Sequence, residues 1–438
     1  MKTICVQGPL GFNGEVVVAG DKSITHRALI LGFLSGNPFC LSSPNGGEDC
    51  RRTFDALAAM GMEGCCSGNQ WHLVPGSHWR TKNHSVYAGN SGTTARLILG
   101  LTPWLAAGCN LTLDGDESLR RRPMDRVAVP LAAAGVHVEY MQTPGCLPLR
   151  AVSLGPRAAT HQINIASAQV KSALLLAGLA APGQTSVCLP PGSRDHTERM
   201  LKIMGCEVFC GQDRVTIEGE QALNMPSPYQ VPGDISAACC WAAGAAVSGK
   251  VKIRAVGLNP GRKNFLQILS RMGAEVSLGK VSCLHGEPTG DLIVEEGRLQ
   301  ATRVYAEEVP GCIDELPLVA AVAAHASGTT VIQGAGELRH KESDRLQQTM
   351  ELLNAFGVAA GIKGETLSIK GGRGLQPGRY ISNDHRMVMT AAILAAGAPG
   401  RSFIGHGEWT AVSYPGFLED FANLAALDYN LVMEDDEL

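Results

Sequence analysis

The sequence lacks several features that define large classes of protein. Its 14 cysteines include no C-x-x-C pair, which excludes zinc ribbons and thioredoxin-like redox motifs. Aromatic residues make up only 5% of the chain, and the formal net charge is −4, whereas nucleic-acid-binding domains usually carry a basic excess. No uncharged run has the length of a transmembrane helix, and the first ten residues do not read as a secretory signal. We therefore expect a cytoplasmic protein with reduced, mostly buried thiols and with no metal, nucleic-acid or membrane partner.

The composition that is present describes a well-packed globular protein. Of the 438 residues, 45% are hydrophobic and 18% are charged, and glycine occurs 52 times. A chain of this length exceeds a single hydrophobic core, so two domains are the default expectation. The abundance of glycine and alanine suits close packing of helices on sheets.

The chain also repeats itself at long intervals. A Leu-x-x-x-Gly segment occurs five times and ends at glycines between 68 and 84 residues apart, with a sixth, eroded copy at Leu424–Asp428; the five are Leu57–Gly61, Leu131–Gly135, Leu201–Gly205, Leu269–Gly273 and Leu353–Gly357. Each copy predicts an amphipathic helix that ends at a left-handed glycine and is followed by two short alternating strands, such as Gln70–Val74 and Arg214–Glu218. A period this long indicates an array of α/β units. We expect two domains of three units each, with helices inside and sheets outside.

The domain junction is marked less clearly. Pro226–Asp234 is the strongest loop signal near the middle of the chain. The opening segment belongs to an incomplete unit, so we expect it to pair with the C-terminal half. This predicts two chain crossings, near Gly14–Gly20 and near Val231–Ser236. The predicted domains are residues 1–14 plus 235–438 and residues 15–234.

Loops rich in glycine and serine deliver basic side chains to predicted helix starts. The segment Gly20–Arg27 places Lys22 and a hydroxyl at the start of an apolar helix, with Arg27 one turn later. Such a helix start suits an anion, most plausibly a phosphate, although the spacing of a Walker loop is absent and a capped surface helix is the alternative. The segment Gly89–Arg96 repeats this design, and Gly92 would let the backbone approach a ligand closely. By itself that loop is equally compatible with a helix cap.

Two further motifs follow before the middle of the chain. The run Arg120–Arg122 cannot face one ligand with all three side chains, so at least one should pair with Asp116, Glu117 or Asp125. Arg122 is the best candidate for ligand binding because Pro123 restricts its backbone. Ser167 is expected to cap the next apolar helix, and Gln169 in its first turn could reach a ligand.

Another helix start carries an arginine close to its positive end. Arg194 at this position costs electrostatic energy unless an anion or Asp195 compensates its charge. The neighbouring His196 is expected to be a solvated surface residue, with a role in acid–base chemistry as the alternative.

The second half of the chain supplies carboxylates. Asp314 lies at a predicted helix start, and Arg386 lies at another. Lys341 and Arg345 are four residues apart and would share one helix face, which is repulsive unless an anion lies between them. Surface ion pairs are the alternative for each residue. As a whole, the pattern predicts binding of polyanions between two domains, with one or two carboxylates for proton transfer. This favours a group-transfer enzyme that acts on phosphorylated metabolites.

Ten motifs resemble those of the enolpyruvyl transferases, and within them the family of 5-enolpyruvylshikimate-3-phosphate synthases. They are GDKSITHRALILG, GNSGTTARLILGL, DGDESLRRRPM, SAQVKSALLLAGL, SRDHTERML, VPGDISAA, IDELP, ELRHKESDRL, NDHRM and SYPGF. Two of them, SAQVKSA and RDHTE, are more similar to the class II bacterial branch. The resemblance implies an α/β fold, a two-domain inverse α/β barrel in which each domain contains three βαβαββ repeats. It also implies transfer of the enolpyruvyl group of phosphoenolpyruvate to the 5-hydroxyl of shikimate 3-phosphate, through a phosphorylated tetrahedral intermediate and with release of phosphate.

The resemblance further implies which residues form the site. Those expected to contact shikimate 3-phosphate are Lys22, Ser23, Arg27, Ser167, Ala168, Gln169, Arg194, Asp314 and Lys341. Those expected to hold phosphoenolpyruvate are Lys22, Gly92, Arg122, Gln169, Arg345 and Arg386. Asp314 would accept the 5-hydroxyl proton, and Glu342 together with Lys22 would exchange protons at the methylene carbon. No cofactor and no metal are implied; the partners are the two substrates, and the chain is expected to act as a monomer.

Two departures and two alternatives accompany this resemblance. Class I members often have a serine at the position of Ala168 and a lysine at that of Val412, so substrate affinity could differ here. The sister enzyme that transfers enolpyruvyl to UDP-N-acetylglucosamine carries a cysteine before an arginine–proline pair, and the segment Ser118–Arg122 has none. The second alternative is a non-enzymatic repeat scaffold that binds phosphorylated ligands. Such a protein would release no phosphate from phosphoenolpyruvate. The family is also inhibited by glyphosate, a competitor of phosphoenolpyruvate, for which Gly92 would leave room.

Overall fold

The structure is a computed structural model and describes residues 2–426 and 433–434. The chain folds into two compact units. Unit 1 comprises Met1–Asp21, Pro232–Cys283 and Pro288–Leu438, and unit 2 comprises Lys22–Val231 and Leu284–Glu287. The sequence places the boundaries at residues 14/15 and 234/235, whereas the structure places them at 21/22 and 231/232. The short segment of residues 284–287 groups with unit 2, which no sequence signal indicates.

Strands and helices alternate along the described part of the chain. The strands are β1 (Thr3–Gly8), β2 (Phe12–Val16), β3 (Phe39–Ser42), β4 (Glu63–Ser67), β5 (Gln70–Val74), β6 (His84–Tyr87), β7 (Asn110–Asp114), β8 (Val136–Tyr140), β9 (Leu149–Ser153), β10 (Thr160–Gln162), β11 (Gln184–Cys188), β12 (Val208–Cys210), β13 (Arg214–Glu218), β14 (Tyr229–Gln230), β15 (Gly249–Gly257), β16 (Glu275–Leu284), β17 (Glu287–Glu295), β18 (Arg303–Val304), β19 (Gly328–Ile332), β20 (Ala359–Lys363), β21 (Thr366–Gly371), β22 (Arg379–Ile381), β23 (Gly400–Gly405) and β24 (Met433–Glu434). The helices are α1 (Lys22–Ser35), α2 (Glu48–Ala59), α3 (Gly92–Leu99), α4 (Glu117–Arg120), α5 (Asp125–Leu131), α6 (Ala168–Gly178), α7 (His196–Ile203), α8 (Ile235–Val247), α9 (Asn264–Met272), α10 (Leu316–His325), α11 (Arg345–Ala355), α12 (His385–Ala396) and α13 (Phe417–Leu424).

The described strands form six four-stranded sheets of one topology. Unit 2 contains the sheets β14-β3-β5-β4, β6-β7-β9-β8 and β10-β11-β13-β12, and unit 1 contains β2-β15-β17-β16, β18-β19-β21-β20 and β22-β23-β1-β24. In each sheet the first two strands are parallel, and the second and third are antiparallel. Each sheet with its two helices is therefore one βαβαββ repeat. The prediction of six repeats, three to a domain, is confirmed.

Three repeats are closed by strands that come from distant parts of the chain. Strand β1 pairs with β23, with Ile4 opposite Ile404, and strand β2 runs parallel to β15. Strand β14 runs parallel to β3 and completes the first sheet of unit 2. The opening segment thus lies in unit 1, because its strands complete sheets of that unit. Of the sixth repeat copy, Leu427 and Asp428 lie outside the described residues.

The repeat glycines follow the ends of helices in five of the six repeats. The φ angles of Gly61, Gly135, Gly205, Gly273 and Gly357 are +106°, +89°, +92°, +103° and +77°. These angles lie in the left-handed region, which side chains with a Cβ adopt only at a cost. The predicted glycine stops are confirmed. The strands Gln70–Val74 and Arg214–Glu218 are also confirmed, with the predicted bounds.

Within each unit the first helix of every repeat is almost entirely buried. In α8 every residue except the last is buried, and in α10 every residue except the last is buried. The strands alternate instead, as in β5, where Trp71 and Leu73 are buried between exposed neighbours. Helices therefore lie inside each unit and sheets outside. Basic motifs stand at the starts of the inner helices α1, α3 and α6 in unit 2 and α12 in unit 1, whereas the carboxylates of Asp314 and Glu315 precede the inner helix α10.

Two expectations about the whole chain can be compared with the structure. Across residues 2–426 and 433–434, no helix combines the length and the hydropathy that crossing a bilayer requires. All 14 cysteines lie in the described ranges, where none of them forms a disulfide bond, and only Cys65, Cys210 and Cys283 are exposed.

Candidate active site

Side chains connect the starts of the inner helices in unit 2. Lys22 begins α1, and its Nζ lies 2.7 Å from Oδ2 of Asp49 in α2. Gln169, in the first turn of α6, accepts a hydrogen bond from Nη1 of Arg96 at 2.6 Å. It also donates to Oγ1 of Thr93 at the start of α3, at 2.8 Å. The N-termini of α3 and α6, with their backbone N–H groups, therefore lie close together and have basic side chains beside them. This arrangement is suited to an anion.

Arg27 holds α1 against α6 and α7. Its Nε donates to Oγ1 of Thr197 in α7 at 2.8 Å, and its Nη2 donates to Oγ of Ser172 in α6 at 2.9 Å. Its Nη1 donates to the carbonyl of Ser23 at 2.8 Å. The guanidinium is buried and joins the helix starts that carry Ser23, Ser167 and Arg194. Arg27 is thus part of the framework of the cluster as well as a candidate ligand.

A buried hydrogen-bond chain fixes the loop before α3. Nδ1 of His26 lies 2.6 Å from Oγ1 of Thr53, which lies 2.6 Å from Oγ1 of Thr94. Thr94 in turn donates to Oγ of Ser91 at 2.8 Å, and Ser91 caps α3 directly before Gly92. Burial lowers the pKa of His26 to about 3, so the imidazole is neutral in this chain.

Gly92 lies beneath the guanidinium of Arg122. A Cβ atom on Gly92 would come within 2.8 Å of Cζ and Nη2 of Arg122, so only glycine leaves this guanidinium in place. Arg122 is buried and donates from Nη1 to the carbonyl of Asn90 at 3.3 Å. Arg121 pairs with Glu117 on the surface. The prediction that at least one arginine of the run pairs with a neighbouring carboxylate is confirmed.

The two motifs around α6 and α7 differ in how well the sequence predicts them. Oγ of Ser167 accepts a hydrogen bond from the N–H of Val170 at 3.4 Å, which confirms the predicted helix cap. His196 is not solvated: it is buried, and its Nδ1 lies 2.7 Å from Oε1 of Glu287. The surface prediction for His196 is wrong because Glu287, far away in the sequence, covers it. Arg194 stays partly exposed directly before α7.

In unit 1 Asp314 is in contact with three cations, two at its carboxylate and one at its backbone carbonyl. Its Oδ1 accepts hydrogen bonds from Nζ of Lys341 at 3.2 Å and from Nη1 of Arg345 at 3.3 Å. Nη1 of Arg386 lies 3.5 Å from the carbonyl of Asp314 and 3.5 Å from Oε1 of Glu315. Glu342 joins this group through its ion pair with Arg345. The structure therefore brings together the five residues that sequence reasoning places in this half, Asp314, Lys341, Glu342, Arg345 and Arg386.

Arg345 is the most enclosed of these cations. Its side chain is 1% exposed; Nη2 donates to Oε2 of Glu342 at 2.5 Å, and Nε donates to Oδ2 of Asp384 at 2.7 Å. Burial opposes its charge, but the surrounding carboxylates outweigh burial and raise the pKa of Arg345. Burial likewise opposes the charge of Asp384, but Arg345 lowers the pKa of that carboxyl. Asp384 also accepts from the N–H of Arg386 at 2.9 Å, so one carboxylate orients two candidate ligands.

The prediction that Lys341 and Arg345 share a helix face is wrong. A 3-10 turn ends at His340, Lys341 is extended, and α11 begins only at Arg345. The two side chains nevertheless converge, because both donate to the same oxygen of Asp314.

Several residues of these clusters, among them Asp49, Arg96 and Asp384, are not proposed from the sequence. Asp49, the partner of Lys22, lies on another helix with no local signal for this contact. Arg96 and Asp384 both lie inside motifs that the sequence singles out. Asp384 caps the start of α12, which was the available signal for it, whereas Arg96 lies in the last turn of α3. Among the described residues, no group of three or more histidine, cysteine, aspartate or glutamate side chains could hold a metal ion.

Comparison with known proteins identifies the family. The family model described as EPSP synthase (3-phosphoshikimate 1-carboxyvinyltransferase) matches residues 6–421. The chain belongs to the EPSP synthase family. It is 39% identical over 423 residues to the 3-phosphoshikimate 1-carboxyvinyltransferase of Synechococcus sp. (strain JA-3-3Ab), a match that covers 94% of this chain and 95% of that protein. It is 40% identical over 422 residues to the protein of that name from Thermosynechococcus vestitus, with the same two coverages.

Solved structures agree with this family. An EPSP synthase from Acinetobacter baumannii superposes with a TM-score of 0.84 at 32% identity, covering 99% of both chains. The enolpyruvyl transferase NikO from Streptomyces tendae superposes with a TM-score of 0.76 at 17% identity, covering 97% of both chains, and at this identity it shows a shared fold only. The α/β fold implied by the sequence motifs is confirmed.

Proposed function

We propose that this protein transfers the enolpyruvyl group of phosphoenolpyruvate to the 5-hydroxyl of shikimate 3-phosphate, giving 5-enolpyruvylshikimate 3-phosphate and phosphate. The observation that carries the proposal is the carboxylate of Asp314, held by Lys341 and Arg345 in a chain that matches the family from residue 6 to residue 421. A carboxylate with two cations beside it suits proton abstraction next to anionic substrates.

Shikimate 3-phosphate needs cations and hydroxyl or amide partners for its phosphate and carboxylate. In this proposal its ligands are Lys22, Ser23, Arg27, Ser167, Ala168, Gln169, Arg194, Asp314 and Lys341. Support comes from unit 2, where Arg27 joins α1 to α6 and α7 and so fixes the positions from which most of these groups start. Ala168 contributes through its backbone, as its methyl group offers no hydrogen bond.

Phosphoenolpyruvate carries a phosphate and a carboxylate, which guanidinium groups bind well. Its proposed ligands are Lys22, Gly92, Arg122, Gln169, Arg345 and Arg386. The glycine is included because its backbone lies directly beside the guanidinium of Arg122. Asp384 supports the role of Arg345 and Arg386, since it bonds to both of them.

The reaction requires one proton to leave oxygen and one to reach carbon. Asp314 takes the proton of the 5-hydroxyl as that oxygen attacks C2 of phosphoenolpyruvate, and the methylene carbon gains a proton from Glu342 or Lys22. The tetrahedral intermediate then returns a methyl proton to the same pair, the C–O bond to phosphate breaks, and phosphate leaves. The contact of Glu342 with Arg345 at 2.5 Å supports its place beside this chemistry.

The family model and the names of the relatives favour shikimate 3-phosphate over UDP-N-acetylglucosamine as the acceptor. The monomeric state and the cytoplasmic location expected from the sequence stay predictions.

Product analysis tests the proposal. The purified protein is incubated with phosphoenolpyruvate and shikimate 3-phosphate, and the acceptor is examined by mass spectrometry. We expect a new species that carries one enolpyruvyl group for each phosphate released. An acceptor that is unchanged while the protein is folded would contradict the proposal.

A further inference from the structure

A buried guanidinium in unit 1 is not used by any proposed step of the reaction. Arg262 ends the short 3-10 turn Pro260–Arg262 between β15 and α9, and it is 2% exposed. Its Nη1 donates to Oδ2 of Asp21, and its Nη2 donates to Oγ of Ser236 at 2.7 Å and to Oδ1 of Asp234 at 3.2 Å. Burial opposes its charge, but the two aspartates outweigh burial and raise the pKa of Arg262. The guanidinium therefore joins two separate segments of the chain.

These two segments are the places where the chain passes from one unit to the other. Their backbones are paired: the N–H of Asp21 donates to the carbonyl of Pro232 at 2.8 Å, and the N–H of Asp234 donates to the carbonyl of Ala19 at 2.9 Å. Asp21 is the last residue of unit 1 before the first crossing, and Pro232 is the first residue after the second. Arg262 binds one carboxylate from each segment and so fixes both backbones at one point.

The same guanidinium is connected to a candidate ligand of phosphoenolpyruvate. Ser236, which receives a hydrogen bond from Arg262, donates to Oε1 of Glu315. Glu315 is 1% exposed, and its Oε1 lies 3.5 Å from Nη1 of Arg386. A continuous path of buried polar contacts thus runs from Arg262 through Ser236 and Glu315 to Arg386.

We propose that Arg262 is a positioning residue for the reaction, which holds Lys22 through Asp21 and holds Arg386 through Ser236 and Glu315. This inference rests on the proposed function, since it assumes that Lys22 and Arg386 bind the substrates. Lys22 follows Asp21 directly in the chain, so the clamp fixes the backbone from which the Lys22 side chain starts. Arg386 is fixed at its guanidinium, through the carboxylate of Glu315.

The planar fork of arginine is essential to this arrangement. One guanidinium reaches Asp21 with Nη1 and reaches Asp234 and Ser236 with Nη2, whereas a lysine ammonium is a point charge that cannot span both sides. Replacement by a neutral residue would also leave two buried carboxylates without their cation. Arg262→Lys should therefore retain the fold and lose the simultaneous contacts with Asp21, Asp234 and Ser236.

Arg262 has two connections, one to Lys22 through Asp21 and one to Arg386 through Ser236 and Glu315, and they predict different kinetic effects. Arg262→Lys disturbs both connections, so the KM values of shikimate 3-phosphate and phosphoenolpyruvate should both rise. The value of kcat/KM should fall by about a hundredfold, as expected when reacting groups are misplaced by about 1 Å. Ser236→Ala removes only the link to Glu315 and Arg386, so the KM of phosphoenolpyruvate should rise while that of shikimate 3-phosphate stays within about twofold.

A matched control changes an arginine with a merely structural role. Arg271 in α9 forms a bidentate ion pair with Glu308 on the surface of the same unit. Arg271→Lys should leave both KM values and kcat unchanged. A loss of thermal stability in Arg262→Lys without any change in KM would show that Arg262 only stabilises the fold, and would overturn the proposal.

Further outcomes are equally decisive. If Arg262→Lys does not fold, Ser236→Ala still tests the path to Arg386, and an unchanged KM for phosphoenolpyruvate in that variant overturns the proposal. An equal rise in both KM values with Ser236→Ala also overturns it. Wild-type protein is assayed in parallel: absence of turnover there contradicts the proposed function itself, whereas active wild type with unaffected variants contradicts only the positioning role.

Discussion

At the scale of single residues, the chemistry of unit 1 is concentrated on one carboxylate. Asp314 lies directly before α10 and receives hydrogen bonds from Lys341 and Arg345 on the same oxygen. Opposite charges at these distances stabilise the ionised carboxylate, which is the form that accepts a proton. Arg345 also forms an ion pair with Asp384, which fixes the position of this cation beside the proposed base.

Asp314→Asn should nearly abolish turnover and leave the binding of shikimate 3-phosphate largely intact. Asparagine keeps the shape of the side chain and loses its basicity, so kcat should fall by about a hundredfold to ten-thousandfold. Steady-state kinetics and calorimetric titration of shikimate 3-phosphate measure the two effects separately. Asp344→Asn is the control, because Asp344 is also a carboxylate at a helix start in unit 1 and caps α11. A variant that keeps most of its kcat would make Asp314 a structural residue.

Gly92→Ala should weaken the binding of glyphosate more than the binding of phosphoenolpyruvate. The new methyl group would meet the guanidinium of Arg122 at 2.8 Å, and this end of a flexible side chain must move away. The KM of phosphoenolpyruvate should therefore rise, and the Ki of the longer glyphosate should rise further, because a steric clash discriminates by length. In wild type we expect competitive and moderate inhibition. Gly36→Ala is the control, since nothing lies near its Cβ position. A ratio of Ki to KM that does not increase in Gly92→Ala would remove the steric argument.

Residues inside glycine-rich helix-start motifs could be recognised from the sequence, whereas their partners could not. Gly92 and Asp314 stand in motifs whose spacing indicates a helix start. Asp49 and Glu287 are bound to Lys22 and His196 across elements, and no local pattern records such contacts. The surface prediction for His196 is wrong for this reason.

At the scale of elements, the glycine that follows the helix end in five of the six repeats decides how the chain enters the following strand. Gly135 has a φ of +89°, and a Cβ atom there would lie 2.0 Å from the carbonyl oxygen of Gly155. The glycine is needed both for the left-handed turn and for the close approach of another backbone. Because this pattern is local and repeats, helix ends and strands could be predicted closely. The 3-10 turn before Lys341 could not, because its sequence fits a helix equally well.

Gly135→Ala should be much more destabilising than Gly36→Ala. Both glycines have positive φ angles, but only Gly135 has a backbone atom in the space of the new methyl group. We expect a loss of about 1 kcal/mol in the free energy of unfolding for Gly36→Ala, from left-handed strain alone. For Gly135→Ala we expect at least about 3 kcal/mol. Urea unfolding measures both values, and equal losses would contradict the backbone clash.

The buried hydrogen-bond chain between α1, α2 and α3 should make stability depend on pH. The pKa of His26 is about 3 in the folded chain and close to its ordinary value of 6.5 in the unfolded chain. The unfolded chain therefore binds the proton first, and stability falls as the pH drops from 6.5 towards 3, by up to about 1.4 kcal/mol per pH unit. In His26→Asn this loss is absent, so the stability difference from wild type should shrink by about 2 kcal/mol between pH 7 and pH 5.

Urea unfolding at the two pH values tests this expectation. His72→Asn is the control, since His72 is an exposed histidine on β5 of the same unit. A stability difference between wild type and His26→Asn that is equal at both pH values would contradict the buried neutral imidazole.

At the scale of the whole molecule, six copies of one βαβαββ repeat account for the described chain, three in each unit. The repeat period could be predicted because it is carried by evenly spaced glycines. The place of residues 284–287 could not, because His285 and Gly286 read as an ordinary hairpin turn with φ angles of +46° and +79°. Long-range contacts assign this turn to unit 2. They include the pair of His196 with Glu287, the hydrogen bond from Nη1 of Arg199 to the carbonyl of Gly286 at 2.8 Å, and the stacking of His285 on Tyr229. Its grouping depends on tertiary contacts that a local pattern does not contain.

The central claim is that this chain transfers enolpyruvyl to shikimate 3-phosphate, and phosphate release tests it most directly. The purified protein is supplied with phosphoenolpyruvate and either shikimate 3-phosphate or UDP-N-acetylglucosamine, and free phosphate is followed with time. We expect sustained release with shikimate 3-phosphate, none with UDP-N-acetylglucosamine, and almost none from Asp314→Asn. Release that requires UDP-N-acetylglucosamine, or no release with either acceptor from folded wild-type protein, would contradict the account.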